Sequence, residues 1–311
     1  MELGLFIEPQ MGGSYQRLVE LATWSEDFGL DAFARSDHYL HMDHSADATD
    51  ALVSLAGVAT ATRSIRLSTL VSPISFRHPA VMAKAATTLD EMSNGRFTLG
   101  VGTGWMQSEH DAFGMDLPPM SERFERLEES LRYIRVVFDG GGSFSGDHYS
   151  FDLSQVGPKP SSGLKIVIGG SGPKKTPTLA GRYADEYNMF VTEHHLVEQR
   201  MDVMRRAAEE AGRDPDSILL SFAGPGFVYE TEEEHASVLS GRAARKKLSV
   251  EEYSKYLDDR AVPHGVANRA HEAIIKMESW GVGRYYVQNL EPLGDISPDA
   301  LSRIFAGLRG D

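Results

Sequence analysis

The sequence predicts a single (β/α)8 barrel, the TIM-barrel architecture, over residues 1–311. Short apolar segments rich in Val, Ile, Leu and Phe alternate with longer amphipathic segments, which is the pattern of parallel strands joined by helices. Eight such strand signals occur along the chain. An open doubly wound sheet is the alternative, but no Gly-x-Gly-x-x-Gly motif follows the first strand, and this favours the closed barrel.

The first half of the chain contains four predicted strand–helix units. The first strand, 3–7, is followed by a helix over 15–28 that Gly29 closes as a C-cap. Pro79 stands near the first turn of a later helix, a position that proline favours. The other predicted segments are strands at 32–35, 65–71 and 96–101 and helices at 51–61 and 80–92.

The second half repeats the pattern with two insertions. The first, near 140–160, is predicted as a Gly-rich loop with a small hairpin at 148–151, and the second, near 229–264, as a polar helical segment. Such insertions in a barrel carry substrate specificity. The predicted elements are strands at 164–168, 186–190, 218–223 and 284–289 and helices at 121–138, 175–183 and 194–211.

Composition excludes several classes of protein. The chain has no cysteine, which excludes disulfide scaffolds, thiolate zinc sites and a cysteine nucleophile. Its formal net charge is −14, and its one basic cluster, at 242–247, is short, so no nucleic-acid partner is expected. No export signal is visible, and no apolar run approaches the roughly 20 residues of a membrane span. We expect a cytoplasmic protein without a membrane partner.

Asp37 and His38 follow the second predicted strand, at the end of the barrel where such enzymes carry their chemistry. An imidazole there can exchange protons near neutral pH, and a neighbouring carboxylate can orient its ring. A helix-capping Asp followed by a surface His is the alternative. His41 and His44 come shortly after, but without thiolates or paired acids these imidazoles predict no metal site.

The third and fourth strands end in residues suited to a planar ligand. The segment 69–73 leads from a β-branched strand into polar residues, where a bulge would support a ring system, unless Pro73 merely turns an ordinary strand end. The fourth strand ends in Gly100-Val101-Gly102-Thr103-Gly104-Trp105. Its glycines permit close approach of a ligand and its indole offers a flat face, although a tight turn is the alternative. Glu109 follows at an interval that reaches the same mouth.

The fifth strand leads directly into Gly169-Gly170-Ser171-Gly172 and then into a helix. Glycines before a helix N-terminus expose several N–H groups, an arrangement that cradles a phosphate, and the Ser171 hydroxyl adds a donor. A flexible turn without a ligand is the alternative. The sequence therefore predicts a phosphate-binding turn at 169–172.

Taken together, these segments resemble the luciferase-like flavin and deazaflavin oxidoreductases, the superfamily of bacterial luciferase and of the coenzyme F420-dependent reductases and dehydrogenases. The likeness extends over nearly the whole chain and depends on the order and spacing of modest motifs. Its carriers are Gly29-Leu30-Asp31, Ser36-Asp37-His38, Arg77-His78-Pro79, Asn94-Gly95-Arg96-Phe97, the Gly100–Trp105 run, Gly146-Asp147-His148-Tyr149 and Ile168-Gly169-Gly170-Ser171-Gly172.

The resemblance implies a flavin or deazaflavin ring over the strand-three bulge, with a non-prolyl cis peptide at Thr69–Leu70 to within one residue. It implies that Asp37 contacts the cofactor and that His38 donates or accepts the proton. The residues expected to bind the cofactor are Asp37, Thr69, Leu70, Ser72, Thr103, Gly104, Ser108, Gly169, Gly170, Ser171 and Gly172.

This chain also departs from the sugar-phosphate dehydrogenases of the family. Those enzymes have a Trp where this chain has Met42 and a Glu where it has Trp105, and the Lys that grips the sugar phosphate is missing from 191–195. Met42, Trp105 and Glu109 are therefore expected to line the pocket of a small, non-phosphorylated substrate that is uncharged or apolar.

Ser36-Asp37-His38 favours coenzyme F420 over FMN, because the deazaflavin members of the family carry this run. The expected reaction is hydride transfer between C5 of the deazaflavin and a carbonyl, imine or activated alkene, with His38 moving the proton. An FMN-dependent monooxygenase is the first alternative, and a non-catalytic flavin-binding protein is the second. The resemblance also leads us to expect a homodimer.

Overall fold

Eight parallel strands form a closed barrel in the computed structural model, which describes residues 1–41, 48–160 and 163–310. Each strand pairs with the next along the chain, and the first pairs with the last, so the sheet closes on itself. The predicted barrel is confirmed and the open doubly wound sheet is wrong. The barrel strands are β1 Glu2–Ile7, β2 Ala32–Arg35, β3 Arg66–Thr69, β4 Phe97–Gly102, β5 Lys165–Gly169, β6 Glu186–Phe190, β7 Leu219–Gly224 and β8 Arg284–Asn289.

Helices cover the outside of the barrel. Their buried faces carry the apolar residues that the helical periodicity predicts, such as Leu18, Leu21 and Ala22 on the first helix. In the described part of the chain, no helix is long and apolar enough to cross a membrane. The helices are α1 Tyr15–Asp27, α2 Ala51–Ala61, α3 Pro79–Met92, α4 Gln107–Phe113, α5 Met120–Phe138, α6 Lys175–Tyr183, α7 His194–Glu210, α8 Glu232–Lys246, α9 Val250–Asp259, α10 Ala267–Ser279 and α11 Pro298–Arg309.

The two insertions form separate small structures. In the first, Gly142–Ser145 pairs antiparallel with Ser150–Leu153, so the hairpin is longer than the one predicted at 148–151. Its turn is held by the Glu129 carboxylate of α5, which accepts hydrogen bonds from the backbone N–H groups of residues 147, 148 and 149. The second insertion contains α8 and α9, as its polar helical pattern predicts.

A bulge interrupts the third barrel strand, as the family resemblance implies. β3 ends at Thr69, and the short strand Ser72–Pro73 resumes pairing with β4. The peptide bond between Leu70 and Val71 is cis, one residue beyond the position that the resemblance implied and within its stated range. The bulge turns Leu70 and Val71 toward the open end of the barrel, where both line a cavity.

Glycines in the neighbouring strands make room for this bulge. A Cβ atom on Gly100 would lie 1.9 Å from the Thr69 carbonyl oxygen. Cβ atoms on Gly102 and Gly169 would each lie 2.8 Å from a methyl group of Val71. Gly100 and Gly102 were expected to allow close approach of a ligand and Gly169 to begin a phosphate turn; in the structure all three also make room for the bulge that forms the cavity floor.

We expect Gly100→Ala to lower the free energy of unfolding by about 3 kcal/mol, because the new methyl group overlaps a backbone oxygen in a packed wall. Chemical denaturation measures the effect. Gly294→Ala is the matched control, since a Cβ atom there meets nothing within 4 Å, and it is expected to change stability by less than about 0.5 kcal/mol. Equal stability of the two variants would contradict this account of the bulge.

Candidate active site

A cavity of about 560 Å³ opens at the carboxyl ends of the barrel strands, a volume that suits a small-molecule ligand. Most strand ends contribute to it, as the barrel architecture requires. The sequence-predicted residues that line it are His38, Leu70, Thr103, Gly104, Trp105, Glu109, Gly169 and Gly170. Those outside its lining are Asp37, Thr69, Ser72, Ser108, Ser171 and Gly172. Met42 lies outside the described residues.

His38 projects into the cavity from the segment after β2 and is paired with Glu109 of α4. Its Nδ1 donates a hydrogen bond of 2.9 Å to the Glu109 carboxylate, which leaves Nε2 as the ring nitrogen that can face a ligand. Burial by itself lowers the pKa of His38, but the hydrogen bond and the negative charge of Glu109 outweigh it, so the pKa is raised. The imidazolium form of His38 therefore persists to a higher pH than that of an ordinary imidazole.

The buried carboxylate of Glu109 binds the backbone of the segment that carries His38 as well as the imidazole. Its other carboxylate oxygen accepts hydrogen bonds from the backbone N–H groups of Tyr39 and Leu40, the latter at 3.0 Å. Burial raises the pKa of Glu109, but these bonds and the charge of His38 together lower it below its ordinary value. The sequence predicted Glu109 as a substrate contact. It does line the cavity, but its oxygens are committed to His38 and to the segment that carries it.

Asp37 is fully buried beside the cavity and is bound to protein groups. Its carboxylate forms a two-point ion pair with Arg77, at 2.5 and 3.2 Å, and accepts a 2.6 Å hydrogen bond from Ser72. Arg77 in turn contacts the Tyr39 hydroxyl and the Asp50 carboxylate. Asp37 and Ser72 therefore bond to each other and lie outside the cavity lining, and their contacts with a cofactor stay a prediction.

Two other cavity groups were not predicted from the sequence. Glu8, directly after β1, is buried, and its oxygens accept hydrogen bonds from the side-chain amides of Gln10 and Gln288. His110 is fully buried, with its Nδ1 2.8 Å from the Met106 carbonyl oxygen and its Nε2 2.7 Å from the Ser75 hydroxyl. Both positions follow barrel strands, and an inspection of every strand end, including that of β1, would have found Glu8.

Only the first two residues of the glycine turn after β5 line the cavity. Gly169 and Gly170 line it, whereas Ser171 and Gly172 lie farther along the turn, outside the lining. The Gly170 N–H is already used, because it donates a 3.0 Å hydrogen bond to the carbonyl oxygen of Asn188. A phosphate at this turn would therefore depend on the N–H groups that follow Gly170 and lead into α6.

The residues of the cavity fit a planar tricyclic cofactor. Its floor is apolar, formed by Leu70 and Val71 of the bulge with Phe6 and Ala223 from β1 and β7. His38 stands at one side of this floor, and the glycine turn at 169–172 begins beside it. A ring system on the floor would thus have a proton-transfer group at one side and a phosphate turn within reach.

Comparison with known proteins identifies the family. The sequence matches the family described as luciferase-like monooxygenase over residues 1–291. The chain belongs to this family. It is 36% identical over 173 residues to an F420-dependent glucose-6-phosphate dehydrogenase of Amycolatopsis mediterranei, a match that covers 55% of this chain and 52% of that protein. The chain thus matches about half the length of this relative.

Solved structures of other proteins share the luciferase-like barrel. An F420-dependent secondary alcohol dehydrogenase in complex with an F420–acetone adduct superposes with a TM-score of 0.80 at 20% identity, covering 99% of each chain. The oxygenating component of 3,6-diketocamphane monooxygenase from Pseudomonas putida, in complex with FMN, superposes with a TM-score of 0.79 at 17% identity, covering 99% of this chain and 97% of the other. At these identities the likeness concerns the fold.

In this luciferase-like chain we expect Glu109→Gln to lower the pKa of His38, because the neutral amide no longer stabilises the imidazolium. Histidine NMR titration measures it. Glu125→Gln is the control, since this exposed carboxylate lies outside the cavity lining. An unchanged titration of His38 in Glu109→Gln would contradict the pairing.

The same pair gives a pH dependence of stability. The raised pKa of His38 contributes stability that is fully present below about pH 6.5 and is lost as the pH rises through its folded pKa. The lowered pKa of Glu109 contributes stability that is present above about pH 4.3 and is lost as the pH falls through its folded pKa. We therefore expect wild type to exceed Glu109→Gln in stability most clearly between these values, measured by denaturation across pH 3 to 9.

Proposed function

We propose that this protein is a coenzyme F420-dependent oxidoreductase that transfers a hydride between the deazaflavin and a small organic substrate. The observation that carries the proposal is the His38–Glu109 pair, which holds an imidazole with a raised pKa beside an apolar floor in a barrel-mouth cavity. The F420-dependent names of its relatives support the choice of cofactor.

Coenzyme F420, when bound, supplies a hydride acceptor or donor at its C5 atom. The residues that would hold its ring are Leu70 and Val71 from below, with the backbone of Thr103 and Gly104 at the side. Backbone N–H groups of the turn at 169–172 would hold its phosphate.

His38 acts on the substrate oxygen in this proposal. In reduction of a carbonyl, its imidazolium donates a proton to the oxygen that develops negative charge, and in oxidation of an alcohol the neutral ring accepts that proton. Glu109 holds the ring through Nδ1, so that the exchangeable proton is at Nε2. Asp37 acts through Arg77, which contacts Tyr39 next to the imidazole, and is a positioning residue rather than a cofactor ligand.

The substrate is proposed to be non-phosphorylated. Among the described residues that line the cavity there is no Lys or Arg, and its two carboxylates, Glu8 and Glu109, would repel a phosphate. This proposal separates the chain from its relatives named for glucose 6-phosphate. A homodimer, which the family resemblance implies, is also part of the proposal.

An FMN-dependent monooxygenase is the second candidate, favoured by the likeness in fold to an FMN-bound oxygenase. A flavin-binding protein without turnover is the third, and the buried Glu109 partner of His38 speaks against it, since simple binding does not need a tuned imidazole.

We expect the purified protein to bind coenzyme F420 more tightly than FMN, because the relative with which it shares 36% identity over 173 residues is named as F420-dependent. Fluorescence quenching titrations with each cofactor measure the two dissociation constants. Micromolar binding of FMN together with no binding of F420 would replace the first proposal by the second.

We expect His38→Ala to keep its F420 affinity and to lose turnover by about 100-fold or more, the scale of general acid–base catalysis. Steady-state rates on the best substrate of a panel of alcohols and ketones measure the loss. His195→Ala is the control, because this imidazole is 60% exposed and lies outside the cavity lining. Wild-type turnover in His38→Ala would remove His38 from the mechanism.

A further inference from the structure

The rim of the cavity carries three large apolar side chains that are exposed. Trp105, Phe190 and Leu290 are 60%, 53% and 57% exposed, and all three line the same cavity. They come from three different places, after β4, at the end of β6 and after β8. Single exposed apolar residues are ordinary, but several that converge on one opening mark a surface that binds an apolar group.

An ordinary protein surface exposes polar groups and buries apolar ones, whereas this cavity buries polar groups and exposes apolar ones. Glu8, Glu109 and Asn188 of its lining are buried and bound to other protein groups, whereas the described lining residues that are exposed, Trp105, Phe190 and Leu290, are all apolar. A hydroxylated sugar would leave this rim without hydrogen bonds for its hydroxyl groups. A hydrocarbon group would instead remove the rim from water, which is favourable.

The apolar rim is continuous with the proton-transfer group. The Trp105 indole meets the His38 ring edge to face, with ring centroids 5.7 Å apart and planes at 76°. A substrate whose oxygen reaches His38 therefore has its adjoining carbon atoms beside Trp105. Phe190 and Leu290 line the same cavity and can cover carbon atoms farther from the oxygen.

We infer that the substrate is an amphipathic alcohol or ketone, with one oxygen for His38 and a hydrocarbon body of several carbons for the rim formed by Trp105, Phe190 and Leu290. The inference rests on the proposed function. In the reduction, the carbonyl carbon gains a hydride from the reduced deazaflavin, which becomes oxidised, and the oxygen gains the proton of His38. Oxidation of the alcohol is the reverse.

A homologous series tests this substrate class. Dissociation constants of 2-alkanols from propan-2-ol to octan-2-ol are measured by cofactor fluorescence on the F420-loaded His38→Ala variant, which is expected to bind the cofactor without appreciable turnover. Affinity is expected to rise by about fourfold for each added methylene group that the rim covers. Glucose 6-phosphate is expected to bind more weakly than octan-2-ol. A series without any rise in affinity, or tighter binding of glucose 6-phosphate, would overturn the inference.

Two rim variants and a matched control locate the effect. Phe190→Ala and Leu290→Ala are expected to weaken octan-2-ol binding by roughly 10-fold each, with little change for propan-2-ol and none for F420. Leu153→Ala, a leucine of 55% exposure on the hairpin outside the cavity lining, should behave as wild type. Equal octan-2-ol affinity in all variants would refute the role of the rim.

The measurements distinguish failure of the proposed function from failure of the proposed substrate class. Absence of F420 binding would overturn the proposed function, whereas F420 binding with a flat alkanol series would overturn only the substrate class. The alkanol series can also be measured on the cofactor-free protein through the fluorescence of Trp105, in a Trp24→Phe and Trp280→Phe background. A rise in affinity with chain length there would support the apolar rim even if F420 did not bind.

Discussion

The buried carboxylate of Glu109 is the group on which the arrangement of the site depends. It accepts hydrogen bonds from the His38 ring and from the backbone N–H groups of Tyr39 and Leu40. An ionised carboxylate that loses its partners in a buried place costs on the order of several kcal/mol. The Glu109 charge therefore opposes movement of His38, Tyr39 or Leu40 away from it. For this reason the segment after β2, although it is a loop, holds the imidazole in a defined position.

A second constraint lies in the barrel wall beneath the imidazole. The bulge after β3 can reach the cavity only because the facing strands present glycines where other residues would present side chains. Thr69 fills the space at Gly100, and Val71 fills the space at Gly102 and Gly169. The apolar floor and the His38–Glu109 pair are thus supported separately, the floor by steric fit and the pair by charge and hydrogen bonds, and a change in one need not displace the other.

The sequence predicts the parts of this arrangement that depend on local pattern. Apolar periodicity gave every barrel strand, and position after β2 and β4 identified His38 and Trp105 as cavity residues. The sequence could not predict contacts between segments that are distant along the chain. That Asp37 is neutralised by Arg77, 40 residues later, and that Gly100 serves Thr69 rather than a ligand, follow only from the closed barrel. Glu8, by contrast, directly follows β1 and could have been identified by its position alone; only its hydrogen bond from Gln288, 280 residues later, depends on the closed barrel.

In the proposed function, the proton transfer and the choice of substrate depend on residues from different parts of the barrel. His38 and Glu109 come from the segment after β2 and from α4, and their pairing is buried. Phe190 and Leu290 come from β6 and from the segment after β8, are exposed, and have no part in holding the imidazole. Substitution at the rim therefore alters which hydrocarbon or polar group is covered, at little cost to folding, because exposed side chains contribute little to the core. In the proposed function, the apolar rim of this chain thus determines the substrate, whereas the His38–Glu109 pair determines the chemistry.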